Sequence, residues 1–410
     1  MKTLIEAPFL VTGDQMDLIK NGYILIDDQR IAEIGSGEAP EADRRIQFEE
    51  SMIMPGLINA HTHIGDSAFK DVGFGKNLIE LFQPPNGLKH QLLKSTERQT
   101  VLEAIENSLL DMLSSGTTTF ADFREGAIDG TRILLEALRN KKIKAFIFGR
   151  SEYAFSKEQL EENRGEIEQE SLDTLEGLIA ATDGLAPSSP NDATDQALRQ
   201  MAKMAKAHAK LRATHAAENP DSERISKERT GLSEVERAIE HFEAEILVHL
   251  TYASPKDLDL VAEHEIGVVC CPRANATLGL KLPPVQEMID RGIAVGLGTD
   301  NVMLNSPNML EEMEFTTKAY RIERIASRYL KPREVLMTAT INGARVLGID
   351  HETGSIEEGK YADLVVLDLT ARNLKHTRDP LTAVTHRAQS DNVSLVMLRG
   401  EIAYQSHVAS

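Results

Sequence analysis

Residues 54–63 read MPGLINAHTH. A short apolar run, Leu57 to Ala60, ends in two histidines spaced two residues apart, and no glycine-rich turn follows it. An open doubly wound sheet that binds a dinucleotide carries G-x-G-x-x-G at this point, because glycine lets the backbone approach a pyrophosphate. INAHTH stands in its place. From Met54 to about Gly348 the same texture recurs: apolar runs end in polar residues and are followed by amphipathic stretches, the βα alternation of a parallel sheet. Eight candidate strands result: Leu57–His63, Thr117–Phe123, Lys144–Gly149, Gly184–Pro187, Arg212–Ala216, Ile246–Leu250, Gly267–Cys271 and Ala294–Thr299. Eight is the number that closes a (β/α)8 TIM barrel. Between them lie helical patterns such as STERQTVLEAIENSLLDMLSSG, with Val101, Ile105, Leu109 and Leu113 at four-residue steps and Gly116 as the stop.

Outside this region the pattern is β. The first 50 or so residues alternate in short pieces, Phe9 to Thr12, Tyr23 to Asp27 and Arg30 to Ile34, punctuated by Gly and Asp turns. After the barrel, GSIEEGKYADLVVLD and NVSLVMLRGEIAYQ return to strands without helices between them. The expected organisation is a barrel over 54–349 and a small composite β-sandwich domain from 1–53 and 350–410.

Composition excludes several function classes. The 410 residues hold 64 acidic and 45 basic side chains, and a formal net charge of −19 repels phosphate backbones and anionic membranes. Neither nucleic acid nor membrane is an expected partner. The two cysteines, Cys270 and Cys271, are adjacent, and strand geometry sends them to opposite faces, so no disulfide framework exists. The N-terminal apolar stretch is too short for a signal peptide, and no segment approaches the ~20 apolar residues of a membrane span. A cytoplasmic homo-oligomer is expected.

The chemistry is carried by residues at predicted strand ends, where barrel enzymes build their active sites. His61 and His63 leave one face of the first strand and can chelate an ion. His215 ends LRATHAAEN, with Glu218 three residues on; His249 ends EILVHL; Asp300 ends IAVGLGTD, where Gly296 and Gly298 permit close approach. Three imidazoles (His61, His63, His215) and the Asp300 carboxylate suit one divalent ion, Zn²⁺ or Fe²⁺, with a position left for water. Such an ion lowers the pKa of water towards ~7. Glu218 is then placed to carry the proton, and Asp300 and His249 complete the catalytic set. His249 is either a further ligand or a group that stabilises developing oxyanion charge; the second role is favoured. Arg273 and Asn275, just past the seventh strand, are candidates to meet an anionic or carbonyl group of the substrate, or to pair with neighbouring acids. The segment FGKNLIELFQPPNGLKHQLL after strand one reads as a loop over the mouth or as an ordinary insertion. His90, His208, His241 and His264 lie in polar or helical contexts and carry no predicted role.

Taken together, MPGLINAHTH, THAAEN, VHL, CPRANATLGL, GLGTDN and GSIEEGKYADLVVLD resemble the cytosine-deaminase and chlorohydrolase branch of the amidohydrolase superfamily, over nearly the whole chain. The resemblance implies the same metal ligands, with Glu218 as the catalytic acid of H-x-x-E and His249 as the strand-six histidine. It also implies hydrolytic deamination of an amino-substituted N-heterocycle, such as a purine, pyrimidine or pterin. Hydrolytic dechlorination or dealkylamination of a triazine-like ring is the alternative, and a metal-stabilised pseudoenzyme the non-enzymatic one. Binuclear family members carry a carboxylated lysine on strand four, but no lysine occurs between Lys157 and Lys203 here, which argues for one metal. Many deaminases of this branch place a histidine shortly after the strand-four Ala-Pro; this chain reads GLAPSSP, with Ser188 in that place. A shorter, uncharged hydroxyl there predicts poor turnover of adenosine and S-adenosylhomocysteine.

Overall fold

The computed structural model describes residues 1–82, 86–150, 155–323 and 329–406. Residues 83–85, within the segment expected over the mouth, lie outside that description.

The predicted strands form one curled parallel sheet, consistent with a TIM-like barrel. Leu57–His63, Thr117–Arg124, Lys144–Gly149, Gly184–Leu185, Leu211–Ala216, Ile246–His249, Gly267–Cys270 and Val295–Leu297 follow one another in chain order. A ninth piece, Asp300–Asn301, pairs back onto the first strand, Asp300 opposite Thr62 and Asn301 opposite His63. Only Gly298 and Thr299 separate the two ends of the strand order along the chain. Several strands are shorter than their sequence patterns, for local reasons. Strand six stops at His249 because His249 and Leu250 take φ of 76° and 52°, outside the extended region. Strand four has two paired residues and leads into Pro187, which lacks an N–H for a ladder.

Alternate residues divide between two cores, as a sheet covered on both faces requires. Leu57, Leu247 and Val268 join the cluster that also contains helix residues. Ile58, Val248 and Val269 pack on the other side with Ala60, Phe123 and Phe148. The helix Arg98–Ser114 buries Val101, Ile105, Leu109 and Leu113 as its stripe predicts, and the chain turns at Gly116, φ 91°.

The two chain ends share a second sheet of eight strands. Lys2–Thr12 pairs with Asp17–Asp27 on one side and with Arg44–Gln47 and Ser51–Pro55 on the other. Leu364–Asp368 then lies antiparallel to Ser51–Pro55, followed by Val393–Leu398 and Glu401–Gln405. Ile5, Ile24, Ile53, Leu364, Val366 and Leu395 belong to one core cluster, so residues more than 300 positions apart bury each other. Among the described residues no helix is long and apolar enough to cross a membrane.

Candidate active site

The first strand, LINAHTH, is buried along its whole length, so its histidines sit deep in the molecule. The ring centroids of His61 and His63 are 4.8 Å apart. His63 Nε2 lies 3.3 Å from His215 Nε2 and 3.7 Å from Asp300 Oδ1, and His61 Nε2 lies 3.4 Å from the same oxygen. The side chains of His61, His63, His215 and Asp300 thus converge, from strands one and five and from the ninth piece, with His61 common to both sets of close ligand atoms. His61 is fully buried, and neither ring nitrogen has a hydrogen-bond partner. Burial pushes its pKa down to about 3, so the imidazole is neutral with a free lone pair. Burial also holds His215 well below the usual histidine range. An orphaned neutral imidazole beside two others and a carboxylate is a donor set that fits a divalent ion, since a buried polar atom otherwise needs a partner.

The rings are oriented from behind. His215 Nδ1 donates to the Ser188 carbonyl at 2.7 Å, and His63 Nδ1 lies 2.9 Å from both the Phe123 carbonyl and Glu125 Oε1. Such partners fix the tautomer that leaves Nε2 as the ligand atom. Strand one and the link after strand eight are clamped beside Asp300 by a reciprocal pair: Asn59 Nδ2 donates to Thr299 Oγ1 at 2.7 Å, and Thr299 N donates to Asn59 Oδ1 at 3.0 Å.

Glu218 and His249 face each other across the site, His249 Nε2 to Glu218 Oε1 at 3.6 Å. Burial raises the Glu218 pKa above the ordinary carboxylate value, which suits a group that must both take and give a proton. His249 Nδ1 is buried without a partner. The backbone is bent where these side chains enter: Ala217, His249, Leu250 and Asp300 all have positive φ, at 49°, 76°, 52° and 61°. Left-handed non-glycine residues of this kind cluster at functional sites because the fold must hold them there.

Ser188 lines the cavity that His63, His215, Glu218, His249 and Asp300 share. Arg273 and Asn275 do not line it. The Arg273 guanidinium pairs with Glu311 at 2.6 Å and with Ser306, and buried Asn275 donates to Thr251 Oγ1 at 2.7 Å and to the Lys281 carbonyl at 3.0 Å. Both bind neighbouring loops past strand seven. Among the expected alternatives for Arg273, pairing with a nearby acid is the one observed.

Other residues in the wall were not singled out in the sequence, although Lys89 lies in the segment 74–93 read there as a loop over the mouth or an ordinary insertion. Lys89, from the helix Leu88–Ser95, is buried and ion-paired to Glu125. Burial opposes the Glu125 charge, yet Lys89 and His63 hold its pKa well below the carboxylate range. Arg150, Arg229 and Glu234 also line the cavity. A lysine in a short loop helix and an arginine at a strand end look like solvent-facing residues until the chain folds. Cys271 was visible but given no role; its Sγ lies within 4.8 Å of ligand atoms of His61 and Asp300, and burial pushes the thiol pKa well up.

The family model described as "Amidohydrolase family" matches residues 52–403. A protein of Methanothermobacter thermautotrophicus is 39% identical over 399 residues, covering 97% of this chain and 98% of its own. A 5-methylthioadenosine/S-adenosylhomocysteine deaminase of Clostridium tetani is 29% identical over 413 residues, covering 99% of this chain and 94% of its own. Among solved structures, an adenosine deaminase from Xanthomonas campestris with bound zinc superposes with a TM-score of 0.85 at 21% identity, covering 98% of this chain and 92% of that one. With the family model matching residues 52–403, which hold all the barrel strands, the chain belongs to the amidohydrolase family.

Proposed function

We propose that this protein is a zinc-dependent aminohydrolase that deaminates an amino-substituted N-heterocycle, in a closed eight-stranded barrel (54–349) carrying a composite β-sandwich domain (1–53 and 350–410). The observation that carries it is the convergence of His61, His63, His215 and Asp300 around an orphaned imidazole, with Glu218 and His249 beside them. His61, His63, His215 and Asp300 hold the ion, which when bound supplies acidified water near neutral pH. Glu218 accepts the proton of the attacking water as its oxygen bonds to the ring carbon. The same carboxyl returns that proton to the exocyclic nitrogen, the C–N bond breaks and ammonia leaves. His249, 3.6 Å from Glu218, stabilises the negative charge that builds on the attacked ring. Lys89, Arg150 and Arg229 give the cavity wall cationic donors for acceptor groups of the substrate. The deaminase names of relatives spanning the full chain support this chemistry.

Ammonia release from a panel of purines, pyrimidines, pterins and their nucleosides tests the proposal. Turnover of at least one amino-heterocycle is expected, and loss of a substituent other than ammonia from every active ring would overturn deamination. Within the panel, adenosine and S-adenosylhomocysteine are expected to be poor, because a serine, Ser188, lines the cavity where many deaminases of the resembled branch carry a histidine. A kcat/KM of about 10⁴ M⁻¹s⁻¹ or more on either would show that Ser188 does not redirect specificity.

A further inference from the structure

Glu234 is buried at the first position of the short helix Glu234–Glu240, in the connection between strands five and six. Its carboxylate joins two loops. Oε2 accepts the backbone N–H of Ala217 at 2.7 Å. Oε1 accepts the Ser189 hydroxyl and, at 3.1 Å, the side-chain amide of Asn191. Asn191 is itself fixed, its Oδ1 accepting from the buried Arg237 at 3.1 Å and its Nδ2 donating to the Ser222 carbonyl at 2.9 Å. Ser189 follows Ser188, whose carbonyl orients His215. The loops after strands four and five are therefore tied through one side chain.

What Glu234 holds at Ala217 is a strained turn. Ala217 is buried with φ 49°, a left-handed conformation that a β-carbon disfavours. It stands between His215, which points into the ligand cluster, and Glu218, which faces His249. Its carbonyl accepts Tyr252 N at 2.8 Å, so both sides of the bend are bonded. In an extended Ala217 the chain would continue along strand five and carry Glu218 away from His249. We propose that Glu234 is a positioning residue: by holding Ala217 left-handed it sets where Glu218 stands over the reacting carbon. The inference rests on Glu218 as the proton carrier, and it separates Glu234 from a buried acid that only fastens loops.

The test is a double-mutant cycle in the metal-loaded full chain, with Glu234→Ala, Ala217→Gly and the two combined. Glycine takes positive φ without strain, so it makes the turn independent of its support. Glu234→Ala is expected to lower kcat about 100-fold, the cost of a displaced catalytic group, with metal content unchanged. Adding Ala217→Gly is expected to recover about tenfold of it, because the turn no longer needs the carboxylate. Independently of any substrate, Ala217→Gly should raise the Tm more in the Glu234→Ala background than in the wild type. Wild-type kcat in Glu234→Ala, a loss that glycine does not recover, or additive Tm shifts would each overturn the inference. If the wild-type protein released ammonia from no heterocycle, the aminohydrolase proposal would fail, while the Tm cycle would still decide whether Glu234 holds the turn.

Discussion

At the scale of single residues, the site is governed by what burial does to charge. Glu218 is raised by burial, and because it is not among the expected metal ligands its loss is expected to spare the metal. Glu218→Gln keeps size and hydrogen-bonding shape but cannot take a proton, so kcat should fall by about 10²–10⁴ with metal content unchanged. Near-normal turnover in that variant would remove the proton-carrier role. Glu312 shows the same physics used elsewhere. It is fully buried on the helix Met309–Glu323, one oxygen accepting Arg273 N at 3.0 Å and the other without a hydrogen bond, 3.9 Å from the Arg273 guanidinium, and burial pushes its pKa up to about 7. A carboxyl raised in the folded state binds its proton more tightly there than in the unfolded chain. Its contribution to stability is therefore complete below about pH 4.5 and is lost as pH rises towards 7. Glu312→Gln removes the titrating group, and thermal melts between pH 5 and 7.5 should show a shallower decline in Tm than wild type. An unchanged slope would show that Glu312 does not titrate in this range.

At the scale of elements, the decisive contact is between strands one and eight. Asn59 and Thr299 clamp them, and Gly298 lets the eighth strand lie directly on His61. A β-carbon at Gly298 would stand 2.7 Å from His61 Cβ and 2.8 Å from its carbonyl oxygen. Neither atom can move without moving the strand. Gly298→Ala is therefore expected to cost about 1–3 kcal/mol of stability and to displace His61 from the ligand cluster. Purified protein should carry substoichiometric metal; a full complement with wild-type Tm would show that the strands separate easily. The left-handed residues belong to this scale too: His249 ends the ladder of strand six, and Asp300 opens the two-residue piece that pairs with strand one.

At the scale of the whole molecule, three histidines and an aspartate from distant strands are held together with an unsatisfied imidazole among them. A bound ion supplies what the fold leaves open, and ligand binding to the folded state alone adds stability by mass action. One divalent ion per chain is expected after purification without added metal. Its removal by a chelator should lower Tm, with about 2.7 kcal/mol at stake when free metal is at 100 times Kd. His61→Ala should remove the ion and the chelator response together. A stoichiometry near two would overturn the single-ion expectation from the missing strand-four lysine.

The sequence by itself determined the parallel strands, their order and the convergence of His61, His63, His215, Glu218, His249 and Asp300, because strand ends in a curled parallel sheet open on one side and these residues sit at those ends. It also marked the β character of both chain ends, since alternation is local. What only the tertiary structure decided is which residues without a local pattern line the wall. Lys89 reaches the site because its loop folds back over strand two, where Glu125 accepts its charge. Glu234 reaches it because its helix packs under the loops of strands four and five. Arg273 and Asn275, adjacent to a strand end, are bonded to Glu311 and Thr251. Position along a strand is set by periodic hydrogen bonding and can be read from spacing; partner choice among charged loop residues depends on three-dimensional neighbours that no spacing encodes.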